Sequence, residues 1–211
     1  MFKDREAAAR QLAEKLKEEL SPEKLKKALV LAIPRGGVMI GSVIRKALNL
    51  PLDCLITKKI PCPGNEELAI GAVGEGGVVI WEEELCRRLN VSPEYKQEII
   101  KRKVAELEKK RQDFKAGRSA VPIAGKVAII VDDGVATGAT MKAAMAVLRS
   151  LKPEEIIVAV PVISQDALVE IKGKADKIIF LQSPEMFFSI GQFYGNFEQI
   201  RDEKVREILK A

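Results

Sequence analysis

Two adjacent aspartates and a run of small residues carry the clearest chemistry in this sequence. Asp132 and Asp133 follow the apolar letters VAIIV, and the letters GVATGAT come next. A glycine-containing turn that opens a helix presents free N–H groups to a phosphate. Because carboxylates beside a phosphate would repel it, their natural partners are sugar hydroxyls or a divalent metal. The stretch therefore predicts a phosphate site with an acidic pair beside it.

Two strand–loop–helix units are built alike in this chain. Residues 127–131 are β-branched apart from one alanine, which predicts a strand buried on both faces of a parallel sheet. Residues 28–33, with the letters ALVLAI, predict a second such strand, and PRGG at residues 34–37 follows it before a helical pattern. Ligands of open α/β sheets bind beyond the carboxyl ends of the strands. Both loops are therefore candidate parts of a site.

The remaining elements alternate between strands and helices. An amphipathic helix is predicted over residues 4–20, a strand over 51–57 and a long helix over about 93–115. Further strands are predicted at 156–161 and 177–181, with a helix between them at 164–172. This alternation predicts an α/β fold with a doubly wound, mostly parallel sheet in one domain, 1–211, whose core is about 28–181.

Composition limits the chemistry and the partners. The chain of 211 residues has no histidine, so acid–base work falls to carboxylates, lysines or the substrate itself. Its net charge of +5 is concentrated on the predicted helix after residue 92, without the interleaved aromatic residues of single-strand binders. We therefore expect no nucleic acid as a partner. The three cysteines have no zinc or redox spacing.

No apolar run approaches the length of a membrane span. The N-terminal letters MFKDREAAARQLAEKL are charged and amphipathic and lack the apolar core of a signal peptide. We expect a cytoplasmic protein with no membrane partner.

The run VDDGVATGAT resembles the ribose-phosphate signature of type I phosphoribosyltransferases, and DDGVATGATM is especially similar to the adenine-specific branch. The resemblance spans roughly residues 28–197. It implies an enzyme that transfers ribose 5-phosphate from phosphoribosyl pyrophosphate (PRPP) to a nitrogenous base, purine or purine-like. A nucleoside monophosphate and pyrophosphate would be the products, in purine salvage. The resemblance further implies Mg²⁺ as cofactor, a homodimer, and a small hood with a lid formed by about 59–81 and 182–200.

The resemblance assigns the loop after the predicted strand 127–131 to the ribose 5-phosphate. Asp132 and Asp133 would accept hydrogen bonds from the ribose hydroxyls, and they are also the candidate metal ligands. A helix cap, or a magnesium site unrelated to ribose, is the alternative role of the pair. The cradle for the 5-phosphate would consist of Ala136, Thr137, Gly138, Ala139 and Thr140.

PRGG resembles the pyrophosphate loop of the family, in which Arg35 and the Gly36 amide would meet the leaving group. By analogy, the peptide bond between Pro34 and Arg35 is expected to be cis. Lys58 and Lys59 match the position of basic pyrophosphate contacts at the next strand end. The alternative is a simple turn with a surface arginine, and one of the two lysines could be merely solvated.

Residues 59–67 occupy the place of the mobile catalytic loop of the family. Glu66 or Glu67 could manage the proton of the base, and Glu67 is taken as the candidate. In the tail FFSIGQFYGNF, the resemblance gives Phe188 the role of stacking on the base and Ile190 a backbone contact to its edge. An ordinary connecting loop and plain aromatic core beneath the last helix are the alternatives.

Two departures from the hypoxanthine–guanine enzymes stand out. Ala136 replaces an aspartate that handles a purine proton, and Ser164 lies near the place of a lysine that recognises the purine O6. Adenine enzymes have alanine in this loop. The alternative function is a non-catalytic sensor of PRPP or nucleotides with the same fold, and a third is a phosphohydrolase or signalling domain that uses Asp132.

Overall fold

A computed structural model describes residues 1–115 and 121–210, without the side chains of Glu67 and Lys115. The helices are α1 (Arg5–Glu19), α2 (Pro22–Lys26), α3 (Gly36–Leu48), α4 (Glu83–Arg88), α5 (Pro93–Lys115), α6 (Ala139–Ser150), α7 (Gln165–Ile171) and α8 (Asp202–Lys210). The strands are β1 (Ala28–Ala32), β2 (Leu52–Cys54), β3 (Thr57–Cys62), β4 (Asn65–Gly74), β5 (Val79–Trp81), β6 (Val127–Val131), β7 (Glu155–Val162) and β8 (Lys177–Gln182).

The central sheet has five strands in the order β2-β1-β6-β7-β8, and every neighbouring pair is parallel. All residues of β1 and β6 are buried, as their continuous apolar runs predict for strands covered on both faces. The predicted α/β class with a doubly wound, mostly parallel sheet is therefore confirmed.

Helices cover both faces of this sheet because side chains alternate along each strand. Val30 and Ala32 of β1 pack on one face, in the core that also includes apolar residues of α1, α3, α5 and α8. Leu29 and Leu31 pack on the other face, against α6 and α7. The sheet thus fixes the carboxyl ends of β1, β2 and β6 side by side, where the candidate loops begin.

A second sheet, with the antiparallel order β3-β4-β5, corrects two predictions. The strand expected over 51–57 ends at Cys54, so Lys58 and Lys59 lie within β3 rather than after a strand end. The expected lid at 59–67 is largely paired strand: β3 and β4 form a hairpin that turns at Pro63 and Gly64. The apolar letters before Lys58 and Lys59 do not indicate that the chain leaves the central sheet after Cys54 and enters the antiparallel sheet at Thr57.

The N-terminal segment pairs with the aromatic tail. Phe2 donates its backbone N–H to the carbonyl of Phe193 at 2.7 Å and accepts from Gly195 at 2.8 Å. The tail packs in a cluster with Phe2 and Ala8 of the start of the chain and with Val162 and Leu181 of the central sheet. Among the described helices, none has both the length and the apolar character required to cross a membrane.

Candidate active site

The two loops predicted to form a site lie in contact. β1 and β6 pair in parallel register, with Ala32 opposite Val131, and the Ile33 N–H donates to the Val131 carbonyl at 3.0 Å. Both loops therefore leave the same edge of the sheet. The peptide bond between Pro34 and Arg35 is cis, which confirms the conformation implied by the resemblance.

The glycines of the PRGG loop let the backbone approach the acidic pair. A Cβ added at Gly36 would lie 1.9 Å from Asp133 Oδ2, and one at Gly37 would lie 2.5 Å from the Val131 carbonyl oxygen. Gly37 also donates its N–H to the Asp132 carboxylate. No residue with a side chain fits at Gly36 while the Asp133 carboxylate stays in place, so the two loops form one packed unit.

Asp133 is buried and paired with an arginine from the start of the chain. Its Oδ2 accepts from Arg5 Nε at 2.7 Å, and both side chains are 10% exposed. Arg5 Nη1 also donates to the Glu198 carbonyl at 2.8 Å, and its guanidinium lies 3.7 Å from the centroid of the Phe197 ring. Tyr194 completes the arrangement by donating its hydroxyl to the Asp133 carbonyl. Asp133 is therefore held by two distant segments, the start of the chain and the tail.

The two carboxyls differ in their surroundings. Burial raises the pKa of Asp132 well above its usual value, and the charge of Asp133 beside it raises that pKa further. Burial also raises the pKa of Asp133, while the hydrogen bond and charge of Arg5 oppose that shift. Asp132 is only partly buried, and its Oδ1 accepts from the Asp133 N–H at 2.8 Å. Asp132 thus keeps more solvent-exposed surface than Asp133, although the backbone N–H groups of Asp133 and Gly37 donate to its carboxylate.

Sequence reasoning missed Arg5, which lies 128 residues from its partner. The signal is its position on α1: Ala8, Ala9 and Leu12 follow at helical spacing and are buried. A charged residue on the apolar stripe of a helix is buried only when it is paired. The sequence contains this signal but does not identify the partner.

The proposed phosphate cradle is accessible at the start of α6. Ala136, Thr137 and Thr140 are exposed, whereas Gly138 is buried and has a positive φ of 74°. That φ suits glycine, and it turns the chain so that α6 begins at Ala139. The exposed residues Ala136, Thr137 and Thr140, with two hydroxyls, lie at the N-terminal end of a helix of 12 residues, an arrangement that suits a phosphate.

Ser164 supports this loop instead of facing a base. Its hydroxyl donates to the Ala136 carbonyl at 2.5 Å and accepts from the Ala167 N–H at 3.0 Å, which caps α7. Its own N–H donates to the Val135 carbonyl. The side chain is 6% exposed. The residue therefore fixes the backbone of the phosphate loop from behind.

The predicted pyrophosphate contacts are cations that already have carboxylate neighbours. Arg35 Nη1 lies 3.6 Å from Asp202 Oδ1 of α8, and both side chains are more than two-fifths exposed. Lys58 Nζ lies 3.3 Å from Glu106 Oε2 of α5. Exposed pairs of this kind are weak, so both cations can exchange these partners for a ligand.

Lys58 and Lys59 face opposite sides of the antiparallel sheet. Lys58 is opposite Val73, which packs in the core that includes α5, whereas Lys59 is opposite Ala72, which packs against Ala143 and Val147 of α6. Cross-strand neighbours share a face of the sheet. The two lysines therefore cannot act on the same side, and Lys58 is the one whose side chain lies near α5.

The aromatic tail divides between core and surface. Tyr194 is 5% exposed and is a core residue rather than a neighbour of the base. Ile190 packs on Gly134, where an added Cβ would lie 2.7 Å from its Cγ2. Phe188, in contrast, is 86% exposed. It is the aromatic side chain of the tail that remains accessible for stacking.

The acidic side chain proposed for proton transfer, Glu67, lies outside the described part of the structure. Its backbone belongs to β4, close to the hairpin turn. Glu66 is exposed on the same strand. The choice between the two glutamates stays a prediction.

The carboxylates fit magnesium only in company with a phosphate ligand. Among residues 1–115 and 121–210, no group of three or more acidic, cysteine or histidine side chains could hold a metal ion. One oxygen of Asp133 is engaged by Arg5. Magnesium is commonly bound by one or two carboxylates together with substrate phosphates and water. Asp132, with Asp133 beside it, could supply the carboxylate ligands of a magnesium ion that is also bound by substrate phosphates and water.

The parallel sheet, with its acidic pair and phosphate loop after β6, defines the type I phosphoribosyltransferase fold. A family model described as the phosphoribosyl transferase domain matches residues 1–197. The chain belongs to this family, which confirms the resemblance stated from its motifs.

Two relatives match nearly the whole chain. A protein of Mycobacterium tuberculosis strain H37Rv, provisionally named a phosphoribosyl transferase, is 38% identical over 209 residues. The match covers 99% of this chain and 46% of that protein, so the chain spans about half the length of this curated relative. The crystal structure of TT1426 from Thermus thermophilus is 36% identical with a TM-score of 0.90, covering 99% of this chain and 97% of that one.

A more distant structure shares the fold alone. A hypothetical protein from Neisseria gonorrhoeae, crystallised with bound ppGpp, is 14% identical with a TM-score of 0.53. The match covers 100% of this chain and 97% of that one.

Proposed function

We propose that this chain transfers ribose 5-phosphate from PRPP to a purine or purine-like base, with Mg²⁺ as cofactor. One observation carries the proposal: the PRGG loop, with its cis peptide, packs through Gly36 against an acidic pair that leads into an exposed phosphate cradle. The elements that would bind ribose, 5-phosphate and pyrophosphate thus meet at one sheet edge.

Each part of PRPP has a candidate partner. The N–H groups and hydroxyls from Ala136 to Thr140 would hold the 5-phosphate, and Asp132 would accept hydrogen bonds from the ribose hydroxyls. Arg35, the Gly36 amide and Lys58 would meet the pyrophosphate. Magnesium, when bound with PRPP, would neutralise part of the negative charge on the departing pyrophosphate. Phe188 would stack on the base.

Electrostatics should dominate catalysis in this arrangement. A nitrogen of the base would form a bond to C1 of the ribose while the bond from C1 to the pyrophosphate oxygen breaks. The leaving group gains negative charge in that step, and fixed cations beside it stabilise the transition state. Arg35 and Lys58 would fill this role. Ala136 offers no proton acceptor, so the proton would leave through Glu66, Glu67 or the solvent.

The test is a transfer assay with PRPP, magnesium chloride and a panel of nucleobases, followed by ³¹P NMR. We expect pyrophosphate and a nucleoside monophosphate from at least one base. The Arg35→Met variant should lose about 100-fold in kcat/KM because one charged contact to the leaving group disappears. The matched control, Arg88→Met, changes an exposed arginine of α4 and should leave turnover intact. No nucleoside monophosphate from any base would contradict the transferase proposal, and kcat/KM in Arg35→Met equal to that of Arg88→Met would contradict the role of Arg35.

The second candidate is a sensor that binds PRPP or a nucleotide without turnover. The observation that favours it is the commitment of Ser164 to loop support together with Ala136 in the cradle, which leaves no purine-specific polar side chain on this loop. Calorimetry separates the two functions: tight PRPP binding with no product from any base would favour the sensor.

A further inference from the structure

The long helix α5 turns a charged face toward the start of β3. Lys103, Glu106 and Lys110 are spaced at i, i+3 and i+7, which places them on one side of the helix. Glu106 lies 3.1 Å from Lys103 Nζ and 3.3 Å from Lys58 Nζ. On the same helix, the Tyr95 hydroxyl donates to the Pro61 carbonyl of β3 at 2.8 Å. This face of α5 is therefore fixed beside the predicted pyrophosphate contact Lys58.

Lys110 lies one turn beyond Glu106 on the same face of α5. Burial lowers the pKa of its ammonium group, and the neighbouring cations Lys58 and Arg35 lower it further, while Cys54 and Asp202 act in the opposite direction. Cys54 is the last residue of β2, and Asp202 begins α8. The Lys110 ammonium lies 5.5 Å from the centroid of the Phe114 ring, and Glu106, one turn away on the same face of α5, lies 3.3 Å from Lys58 Nζ.

The charges at this place do not balance. Lys58 and Lys103 both lie within 3.3 Å of one carboxylate, Glu106, and Lys110 follows it by one turn of α5, so these three cations exceed that carboxylate by two positive charges. Cations held together repel one another, and the penalty is relieved when an anion binds between them. A ligand with two or more negative charges suits this excess. The phosphate cradle at the start of α6 is a different part of the site.

We propose that Lys110 of α5 is a pyrophosphate-binding residue and that Glu106 restrains the cations until the ligand arrives. This inference deepens the proposed function, on which it rests, by extending the leaving-group site to a helix outside the loops of the central sheet. Glu106 competes with pyrophosphate for Lys58 and Lys103, so the two substitutions Lys110→Met and Glu106→Gln should act in opposite directions.

Calorimetric titration with inorganic pyrophosphate tests the proposal. The Lys110→Met variant should bind about tenfold more weakly than the unmodified protein, since a charged hydrogen bond is lost. Lys110→Arg should retain affinity within about twofold, because the charge is kept. Glu106→Gln should bind about threefold more tightly, because a competing carboxylate is removed. The matched control Lys109→Met alters the adjacent exposed lysine of α5 and should bind as the unmodified protein does.

Ribose 5-phosphate serves as the second probe, and its affinity should be the same in all these proteins. Equal pyrophosphate affinity in Lys110→Met and Lys109→Met would overturn the proposal, as would weaker binding in Glu106→Gln or no binding by the unmodified protein. Thermal melting establishes that each variant is folded. If pyrophosphate binds with the expected pattern but no base is turned over, the transferase proposal fails while the assignment of Lys110 stands.

Discussion

The proposed ribose half and the proposed pyrophosphate half of the site hold their charged side chains in opposite ways. The ribose half buries Asp133 against Arg5, with 10% of each side chain exposed, and surrounds the pair with Tyr194 and Phe197. The pyrophosphate half keeps Arg35 and Lys58 partly exposed, and their carboxylate partners lie farther away, at 3.6 and 3.3 Å. The first half is part of the fold, whereas the second is free to exchange its partners. Stability and ligand affinity should therefore depend on different residues.

The largest expected effect concerns the buried pair. Arg5→Met should lower the free energy of unfolding by about 3–5 kcal/mol, since Asp133 would be left buried without its cation. Arg35 is the exposed arginine of the other half. Arg35→Met should change the free energy of unfolding by less than about 0.5 kcal/mol. Chemical denaturation measures both values. Equal losses of unfolding free energy in Arg5→Met and Arg35→Met would contradict the view that one half supports the fold and the other does not.

A smaller effect is expected at Ser164, which supports the phosphate loop from behind. Ser164→Ala should cost about 1–2 kcal/mol of stability, because the cap of α7 and the hydrogen bond to the Ala136 carbonyl both disappear. The affinity for ribose 5-phosphate should fall with it, while that for inorganic pyrophosphate should not change. Denaturation and calorimetry measure these quantities, and a parallel loss of pyrophosphate affinity would show that the halves are not separable.

Much of the fold was predictable because its signals are local. The apolar runs of β1 and β6 identify buried parallel strands, and Pro93 marks the start of α5. The acidic pair and the glycine loops also lie in short continuous motifs. Their proximity in space then follows from the adjacency of two parallel strands.

The parts that were missed depend on contacts between distant segments. Nothing near Asp133 in the sequence indicates Arg5, and nothing in Lys58-Lys59 shows that β3 belongs to a second sheet whose faces separate the two side chains. Helical spacing in α5 predicts an apolar stripe of Ile100, Val104, Leu107 and Phe114, whereas the adjacent Ile99 is buried and Ile100 only partly so. Helical spacing alone tolerates such a shift of one position, and packing against the hairpin selects between the neighbours.

The most direct test asks whether the two halves bind one ligand. Calorimetry in magnesium chloride should be carried out with PRPP, ribose 5-phosphate and inorganic pyrophosphate separately. Because PRPP carries both groups on a single ribose, its binding should engage both halves together, and we expect it to bind at least about 100-fold more tightly than ribose 5-phosphate. PRPP that binds no more tightly than ribose 5-phosphate would contradict the claim that these loops form a single PRPP site.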